Sequence, residues 1–231
     1  MIHKHYQTLL IASKNKQKLL AILIDPDVFL IAETEEFLQQ LPKETSHIFV
    51  GGSTVEAGKT EVLVSKLKKN TTLPIFIFPG DASQIALNAD GLLFLSLLSG
   101  RNPEYLIEQQ IKAVSELRKS SLEVISTGYI LIDGGNTSAV ERVSQTIPMS
   151  QKNVQEIIDT AKAGEYLGMK FIYLEAGSGA KIPVNASIIS EVKKEINIPL
   201  IVGGGIKTET QKQEAYKAGA DLVVMGTVYE K

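Results

Sequence analysis

Short apolar runs and amphipathic stretches alternate eight times along the chain. Each apolar run is rich in β-branched, leucine or aromatic residues, and most are followed directly by Gly, Pro, Asp or Ser. Near-continuous apolar runs of this length are typical of parallel strands that are buried on both faces. The predicted strands are Leu19–Ile24, His47–Val50, Pro74–Phe78, Gly91–Leu95, Glu123–Ile130, Lys170–Leu174, Pro199–Val202 and Asp221–Met225.

The stretches between these runs carry helix signals. Apolar residues at helical spacing predict a helix over Gln151–Tyr166, with Ser150 as its N-cap. Ser53 with Glu56, and Thr208 with Gln211, have the spacing of a capping box. Pro103 falls at an expected first helical position.

Strand and helix alternate over the whole sequence, which indicates an α/β protein with a parallel sheet. Eight such units in 231 residues favour a closed TIM (β/α)8 barrel over an open doubly wound sheet. We expect one barrel domain over 1–231. Because Lys231 comes shortly after the eighth strand, the barrel is expected to lack or modify its last helix, and the first ~18 residues are the candidate cover. The longest loop is expected at Asp133–Ser150.

Composition narrows the function classes. The formal net charge is −2, which disfavours nucleic acid as a partner because tight binding needs clustered Lys and Arg. Cysteine is absent, so disulfides, thiolate metal sites and a cysteine nucleophile are excluded, and a cytoplasmic location is expected. No apolar run is long enough to span a membrane. The three histidines lack metal-ligand spacing, and His47 is predicted to be a strand residue.

Glycines follow the last two strands. Gly203, Gly204 and Gly205 end the seventh strand just before a helix, and Gly226 with Thr227 ends the eighth. Backbone N–H groups can approach an anion closely at glycine, and a helix N-terminus adds free donors. In barrels these two loops recurrently bind phosphate. The sequence therefore predicts a phosphate monoester site, although tight βα turns are an alternative interpretation.

The sixth strand ends in YLEAGSG, which is expected beside those glycine turns. Tyr173 and Glu175 share a strand face that points into the barrel mouth, and Ser178 offers a hydroxyl donor. A carboxylate there can orient a substrate hydroxyl or act as a base. The alternative is a core tyrosine beside a salt-bridged glutamate.

The first strand ends in acidic residues. Asp25 is a candidate ligand for Mg²⁺, which typically takes one or two carboxylates together with waters and substrate phosphates, and Asp27 is the second candidate. A turn or cap aspartate is an equal alternative on the residues alone. Ser53, after the second strand, could turn its hydroxyl toward the mouth or cap the next helix. The segment 53–60 imitates a P-loop, but Ser53 replaces its first glycine and Gly58-Lys59-Thr60 is expected inside the helix, so a nucleotide site is disfavoured.

Taken in order, the motifs LIDPD, FVGGST, FPGD, ADGLLFLSLLSGRNPEYLI, YLEAGSG, VGGGI and MGT cover nearly the whole chain. Together they resemble the geranylgeranylglyceryl phosphate synthase family, which includes the bacterial heptaprenylglyceryl phosphate synthases. The resemblance implies a TIM-barrel prenyltransferase that joins sn-glycerol 1-phosphate to a prenyl diphosphate through an ether bond, in phospholipid biosynthesis.

The resemblance also implies roles for particular residues. Asp25 and Ser53 match the family's Mg²⁺ positions, and Glu175 and Tyr173 are the expected catalytic residues. The chain departs from the family pattern at Leu23, where some members have Lys, and at Thr227, where Asn is common. The positions that match the glycerol-phosphate site are Tyr173, Leu174, Glu175, Ala176, Gly177, Ser178, Gly179, Gly203, Gly204, Gly205, Gly226 and Thr227.

The implied reaction needs Mg²⁺ to neutralise the charge on the departing diphosphate. The resemblance favours a geranylgeranyl chain over heptaprenyl, and it implies a homo-oligomer, either a dimer or a hexamer. The apolar segment Phe94–Leu98 is a candidate wall for the lipid tail, with core packing as an equal explanation. Transient contact with a membrane surface fits a substrate of this kind.

Two other functions stay open at this stage. One is another phosphate-binding barrel enzyme, such as a sugar-phosphate isomerase, in which Asp25 is an acid or base. The other is a glycerol-phosphate sensor without catalysis. Dependence of activity on Mg²⁺ distinguishes the synthase from the isomerase. Formation of an ether-linked product distinguishes the synthase from both alternatives.

Overall fold

The structure is a computed structural model, and it describes residues 4–226. Eight parallel strands close into a barrel in chain order, with the first strand paired to the eighth between Leu19–Ile22 and Leu222–Met225. This confirms the expected TIM-barrel fold class. The strands are β1 Leu19–Ile24, β2 Thr45–Val50, β3 Ile75–Ile77, β4 Gly91–Leu97, β5 Glu123–Leu131, β6 Phe171–Glu175, β7 Leu200–Gly203 and β8 Leu222–Met225.

Helices connect the strands around the outside of the barrel. Between β3 and β4, however, the structure has a 3₁₀ turn over Ala82–Gln84 in place of an α-helix. The helices are α1 Lys4–Lys14, α2 Thr34–Gln40, α3 Lys59–Asn70, α4 Gln109–Leu117, α5 Ala139–Ser144, α6 Val154–Tyr166, α7 Ala186–Glu195 and α8 Glu209–Ala218. Our expectation of a helix in every gap was therefore wrong for the third unit.

Successive residues of each strand point alternately into the barrel interior and toward the surrounding helices. Inward-facing side chains such as Phe49, Phe76 and Phe171 pack inside the barrel, and each is at most 1% exposed. The rings of Phe49 and Phe76 stack with centroids 5.9 Å apart. Outward-facing side chains such as Ile48 and Leu174 pack beneath the helices. Burial on both faces explains why the strands read as continuous apolar runs.

The sequence predicted the start of α8 correctly and the start of α6 incorrectly. The capping box of Thr208 and Gln211 is present at the start of α8. The helix predicted from Gln151 begins instead at Val154, and its N-cap is Asn153, so Ser150 is not the cap. Residues 150–153 form a turn in which the Asn153 N–H donates to the Ser150 carbonyl at 2.9 Å, and that bond delays the helix.

The N-terminal helix α1 covers the end of the barrel where the strands begin. Leu9 and Ala12 pack into the barrel interior, and the N–H groups of His5 and Tyr6 each donate to the Glu123 carboxylate at 2.7 Å. Helix α1 thus closes the base of the barrel, and it does not take the place of an outer helix between β8 and β1.

The long connection after β5 is more ordered than we expected. It contains α5, which starts with a capping box formed by Ser138 and Glu141. An isolated bridge pairs Ile132 with Met149 and fastens the far end of the connection back to the barrel. Among the described residues, no helix is both long and apolar enough to cross a membrane.

Candidate active site

One cavity of about 300 Å³ opens at the end of the barrel where the strands finish. It is lined by residues of β1, β4, β5, β6 and β8, of the loops after β2, β3, β6, β7 and β8, and of α4 and α5. Since parallel strands end at the same edge, eight successive loops converge on this mouth. The cavity is therefore the place where the sequence-predicted residues can be compared.

Asp25 lies in this cavity at the end of β1. Its Oδ1 accepts a hydrogen bond from the Asp27 N–H at 2.9 Å, and a Cβ at Gly52 would come within 2.6 Å of Oδ2. The loop after β2 therefore packs directly on the carboxylate, which requires glycine at position 52. Burial raises the pKa of Asp25 above its ordinary value, so a nearby cation would stabilise the ionised form.

Asp27 has a different environment. Its carboxylate forms a salt bridge with Lys59 at 3.0 Å and accepts from the Glu56 N–H, and it does not line the cavity. The structure thus separates the two acidic candidates and leaves only Asp25 at the mouth.

Ser53 also lines the cavity, one residue beyond Gly52. It is not a helix cap, because α3 begins at Lys59 with Gly58 as its N-cap at φ +85°. Gly58-Lys59-Thr60 therefore starts the helix, and our expectation that these residues lie inside it was wrong. Lys59 is engaged with Asp27 and Glu56, so the segment still does not form a phosphate cradle.

Glu175 and Tyr173 both line the cavity from β6. The Glu175 carboxylate is 6% exposed and accepts a hydrogen bond from the Gly177 N–H at 2.7 Å. Burial raises the pKa of Glu175 to about 7, and the hydrogen bond from the Gly177 N–H partly opposes this increase. A carboxyl group with this pKa can exchange a proton near neutrality. The Tyr173 hydroxyl is fully buried and has no hydrogen-bond partner within the described residues.

The glycine turns after β6, β7 and β8 meet at the same mouth. Ser178, Gly179, Gly204, Gly205 and Gly226 line the cavity. Gly204 and Gly205 have φ values of +78° and +71°, a backbone region that favours glycine. The turns are thus shaped to present backbone groups to a ligand. Thr227 lies outside the described residues.

Four of the residues expected at the glycerol-phosphate site do not line the cavity. The side chains of Leu174 and Ala176 pack in the outer core beneath the helices, because they alternate with Tyr173 and Glu175 along the strand. Gly203 is the last residue of β7. The Gly177 N–H donates to the Glu175 carboxylate, so it is not free to bind phosphate. The side chains of Leu174 and Ala176 therefore face away from the cavity, and a role of these residues in binding glycerol phosphate stays a prediction.

Three aromatic rings lie together in the cavity wall. Phe78 stacks on Tyr173 with centroids 5.2 Å apart, and Tyr129 lies 5.4 Å from Tyr173 and 6.0 Å from Phe78. Ring faces carry partial negative charge and can stabilise a neighbouring cation. The sequence interpretation identified Tyr173 but missed Phe78 and Tyr129.

An apolar arm extends from the mouth between β4 and α4. Ile85, Leu92, Phe94 and Ala113 contribute to its lining. The connection after β3 has only the 3₁₀ turn Ala82–Gln84 in place of an α-helix, and Ile85 directly after that turn is part of this lining. Of the predicted wall Phe94–Leu98, the side chains of Phe94, Leu95 and Leu97 line the cavity, whereas Leu98 packs in the outer core.

Lys207 was also missed by the sequence interpretation. It follows the β7 glycines and is the one basic side chain that lines the cavity within residues 4–226. Its N–H donates to Gln211 Oε1 at 2.8 Å, which fixes its backbone beside the capping box of α8. The signal in the sequence was a lysine between a glycine turn and a helix N-cap.

A closed (β/α)8 barrel whose glycine turns after β6, β7 and β8 share one mouth with a β1 carboxylate has the architecture of phosphate-binding TIM-barrel proteins. The PcrB family matches residues 13–231. The chain belongs to this family.

Sequence relatives and a solved structure agree with this placement. The chain is 58% identical over 219 residues to geranylgeranylglyceryl phosphate synthase from Zunongwangia profunda, covering 95% of this chain and 94% of the relative. It is 55% identical over 226 residues to the Flavobacterium johnsoniae protein of that name, covering 97% and 93%. A crystal structure of (S)-3-O-geranylgeranylglyceryl phosphate synthase from Thermoplasma acidophilum in complex with sn-glycerol-1-phosphate superposes with a TM-score of 0.90, at 33% identity and with 98% and 92% coverage.

Proposed function

We propose that this chain is an Mg²⁺-dependent prenyltransferase that joins sn-glycerol 1-phosphate to geranylgeranyl diphosphate through an ether bond, in phospholipid biosynthesis. The observation that carries the proposal is that one cavity combines glycine turns, the Asp25 carboxylate and a long apolar arm. A phosphate monoester, a diphosphate with its cation and a hydrocarbon chain each require one of these parts. The names of the relatives support the same assignment.

The residues at the end of β1 fit a hard divalent cation. Asp25 is half-buried with its pKa raised, and Ser53 follows the glycine that packs on it. In the described part of the chain, no three His, Cys, Asp or Glu side chains group as a metal site, which suits an ion that takes most ligands from water and phosphate. Asp25 and Ser53 would hold Mg²⁺, and the bound ion would neutralise charge on the diphosphate.

The protein's own groups would act on the glycerol phosphate. The turns at Gly204, Gly205 and Gly226, with Ser178 and Lys207, would anchor its phosphate. The oxygen of the C3 hydroxyl would form a bond to the first carbon of the prenyl chain, and Glu175 would accept the proton of that hydroxyl. The bond from that carbon to the diphosphate breaks, and the diphosphate leaves with the electron pair. Holding both substrates supplies proximity and orientation.

The aromatic rings and the apolar arm would serve the prenyl partner. The allylic carbon becomes partly cationic as the diphosphate departs, and Tyr173 would stabilise it through its ring face. The arm lined by Ile85, Leu92 and Phe94 would hold the chain away from water. Burial of apolar groups is favourable at roughly 25 cal/mol per Å².

Incubation of the protein with sn-glycerol 1-phosphate, geranylgeranyl diphosphate and Mg²⁺ tests the proposal, with ether-linked product measured by mass spectrometry. We expect product that disappears with EDTA and with Asp25→Ala. The matched variant is Asp27→Ala, which removes a carboxylate that does not line the cavity and should retain activity. Absence of product from the unaltered protein would refute the synthase and favour an isomerase or a sensor.

A parallel series with heptaprenyl diphosphate tests the chain length. We expect a higher kcat/KM for geranylgeranyl diphosphate than for the longer substrate. Equal values would contradict that part of the proposal and leave the reaction itself intact.

The proposal includes a cytoplasmic homo-oligomer, a dimer or a hexamer. Three exposed aliphatic residues support association with a second copy: Ile107, in the π-helical turn Glu104–Glu108 that precedes α4, and Ile111 and Val114 in α4, which are 51%, 58% and 37% exposed. Sedimentation equilibrium should give a mass of two or six chains, and a mass of one chain would contradict it.

A further inference from the structure

Several loops at the cavity mouth are fastened into one surface. We call residues 100–102, 133–152 and 181–183 the β4–β6 rim. The Ile182 N–H donates to the Gly134 carbonyl at 3.0 Å, and the Asn102 side chain donates to the Ser144 carbonyl at 2.9 Å. The Gln151 side chain donates to the carbonyls of both Asp133 (2.9 Å) and Pro183 (3.2 Å). These bonds bring the loops after β4, β5 and β6 together beside the cavity.

Two isoleucines of the β4–β6 rim are strongly exposed. Ile147 is 86% exposed, the largest value among the exposed large hydrophobic residues of the described chain, and Ile182 is 56% exposed. Neither side chain lines the cavity. Exposed aliphatic groups next to a ligand cavity indicate a surface that contacts something apolar.

The charge of the β4–β6 rim is opposite in sign to that of the whole chain. Arg101, Arg142, Lys152 and Lys181 are all exposed, and none of them forms a salt bridge within residues 4–226. The rim has two acidic residues, Asp133 and Glu141, so it carries four basic and two acidic groups while the chain has a net charge of −2.

Both acidic side chains of the β4–β6 rim are turned toward the backbone. Asp133 accepts from the Gly135 N–H at 2.9 Å, and Glu141 accepts from the Ser138 N–H at 3.3 Å. The guanidinium groups of Arg101 and Arg142 also donate to backbone carbonyls, of Leu98 and Gly100 and of Thr137, but both side chains stay exposed and charged. The four basic groups outnumber the two acidic ones, so the rim presents net positive charge. A combination of protruding aliphatic and exposed basic side chains is complementary to the interface of an anionic bilayer.

We propose that the β4–β6 rim docks the protein transiently on an anionic phospholipid bilayer, with Ile147 and Ile182 entering the headgroup region. The proposal rests on the function proposed above, because a prenyl substrate and its ether-lipid product reside in bilayers. Docking by the rim places the cavity mouth against the membrane, so both can transfer without crossing bulk water.

Cosedimentation of the full chain with vesicles tests the docking without any need for activity. We compare phosphatidylcholine vesicles with phosphatidylcholine vesicles that also contain phosphatidylglycerol. The protein should bind the anionic vesicles and release at high salt. Ile147→Ser/Ile182→Ser and Lys152→Gln/Lys181→Gln should each lower the partition coefficient by about tenfold.

Matched variants at the opposite end of the barrel serve as controls. Tyr166 is the last residue of α6 and Leu167 follows it, at the end of the barrel where the strands begin, and they are 80% and 73% exposed. Lys14 and Lys43 are exposed at that same end. Tyr166→Ser/Leu167→Ser and Lys14→Gln/Lys43→Gln should leave vesicle binding unchanged.

Three results overturn the docking surface: no binding by the unaltered protein, equal losses in the controls, or rim variants that change the oligomeric mass while vesicle binding persists. The last result would assign the rim to a second copy of the chain. Activity on detergent-dispersed substrate should stay unchanged in all of these variants. If the unaltered protein had no activity on detergent-dispersed substrate, the proposed function would be contradicted. The vesicle experiment tests docking alone.

Discussion

Glu175 and Gly204 are packed against each other at the cavity mouth. A Cβ at position 204 would lie 2.3 Å from Glu175 Oε1, and the same space holds the N–H groups of Gly177 and Ala176 at 2.6 and 2.7 Å. The glycine turn after β7 thus fixes the position of the carboxylate at the end of β6. The expected phosphate anchor and the expected base form one packed unit, so disturbing either should affect both.

The first prediction concerns Gly204→Ala. The new methyl group must displace Glu175, and alanine at φ +78° adds backbone strain. We expect kcat/KM to fall by about 100-fold, since misplacement by an ångström typically has that effect. The free energy of unfolding should fall by about 2–4 kcal/mol. Steady-state kinetics and urea denaturation measure the two effects.

Gly168→Ala is the matched variant. Gly168 has φ +89°, and a Cβ there would meet nothing within 4 Å, so only backbone strain is introduced. Gly168→Ala should lower the free energy of unfolding by about 1 kcal/mol and leave activity unchanged. Equal effects of the two alanines on activity would show that the contact with Glu175 is unimportant.

The second prediction concerns Glu175→Gln. With the pKa of Glu175 raised to about 7, the rate of the unaltered protein should increase as pH rises through 7, because only the ionised carboxylate accepts a proton. The variant should lose about 100-fold or more in kcat and lose that pH dependence. If the variant kept the same pH profile, the base would be another group.

The same variant has a signature in stability. The folded-state pKa is raised from 4.5 to about 7, so the stabilisation that Glu175 gives is complete below pH 4.5 and is lost as pH rises to 7. At about 1.4 kcal/mol per pH unit this amounts to roughly 3 kcal/mol. Relative to the unaltered protein, Glu175→Gln should therefore gain stability between pH 4.5 and 7 in urea titrations. A constant difference would contradict the buried, shifted carboxyl.

The third prediction concerns Lys207, the basic side chain of the cavity. Lys207→Gln should raise the KM for sn-glycerol 1-phosphate by about 10- to 100-fold, the range expected when a charged hydrogen bond to phosphate is removed. Lys207→Arg should retain most of the affinity. Lys217→Gln, on an exposed part of α8, is the control and should change nothing. A rise confined to the KM of the prenyl diphosphate would place Lys207 at the other substrate.

The fourth prediction concerns His47, which is buried at the base of the barrel with its ring 5.3 Å from that of Phe76. Burial, aided by the charge of His5, lowers the pKa of His47 from 6.5 to about 4. Between these two pH values His47 is protonated in the unfolded chain and neutral in the folded chain. The free energy of unfolding therefore decreases as pH falls from 6.5 to 4.

Replacing His47 by Gln removes this titration. The loss of stability between pH 7 and 4.5 should be smaller in the variant by about 2–3 kcal/mol, at about 1.4 kcal/mol per unit. Urea denaturation at the two pH values measures it. Parallel losses in both proteins would show that His47 does not titrate on unfolding.

Features set by nearby residues could be predicted from the sequence. The eight strands follow from apolar runs that need burial on both faces, and the capping box at Thr208 follows from residues three apart. The convergence of Asp25, Glu175 and the glycine turns follows from strand order alone. These predictions needed only local pattern and the geometry of a closed barrel.

Features set by distant contacts could not be predicted. Asp27 looked like a cation ligand until its pairing with Lys59, 32 positions later, became visible. Ser150 has the chemistry of a helix cap, yet a turn in the connection after β5 moves the start of α6 to Val154. The pKa of Glu175 depends on burial by several loops, which no spacing in the sequence encodes.

The three-residue turn between β3 and β4 has a consequence for how substrate size can change. Because the cavity lining includes residues of this turn, of β4 and of α4, a long chain bound among them would lie alongside the strands and not within them. The bore of an eight-stranded barrel is fixed by its strand number, whereas a flank can be lengthened or shortened by a few side chains. Hydrocarbon length can therefore evolve in this fold without altering the strands that position the reacting groups.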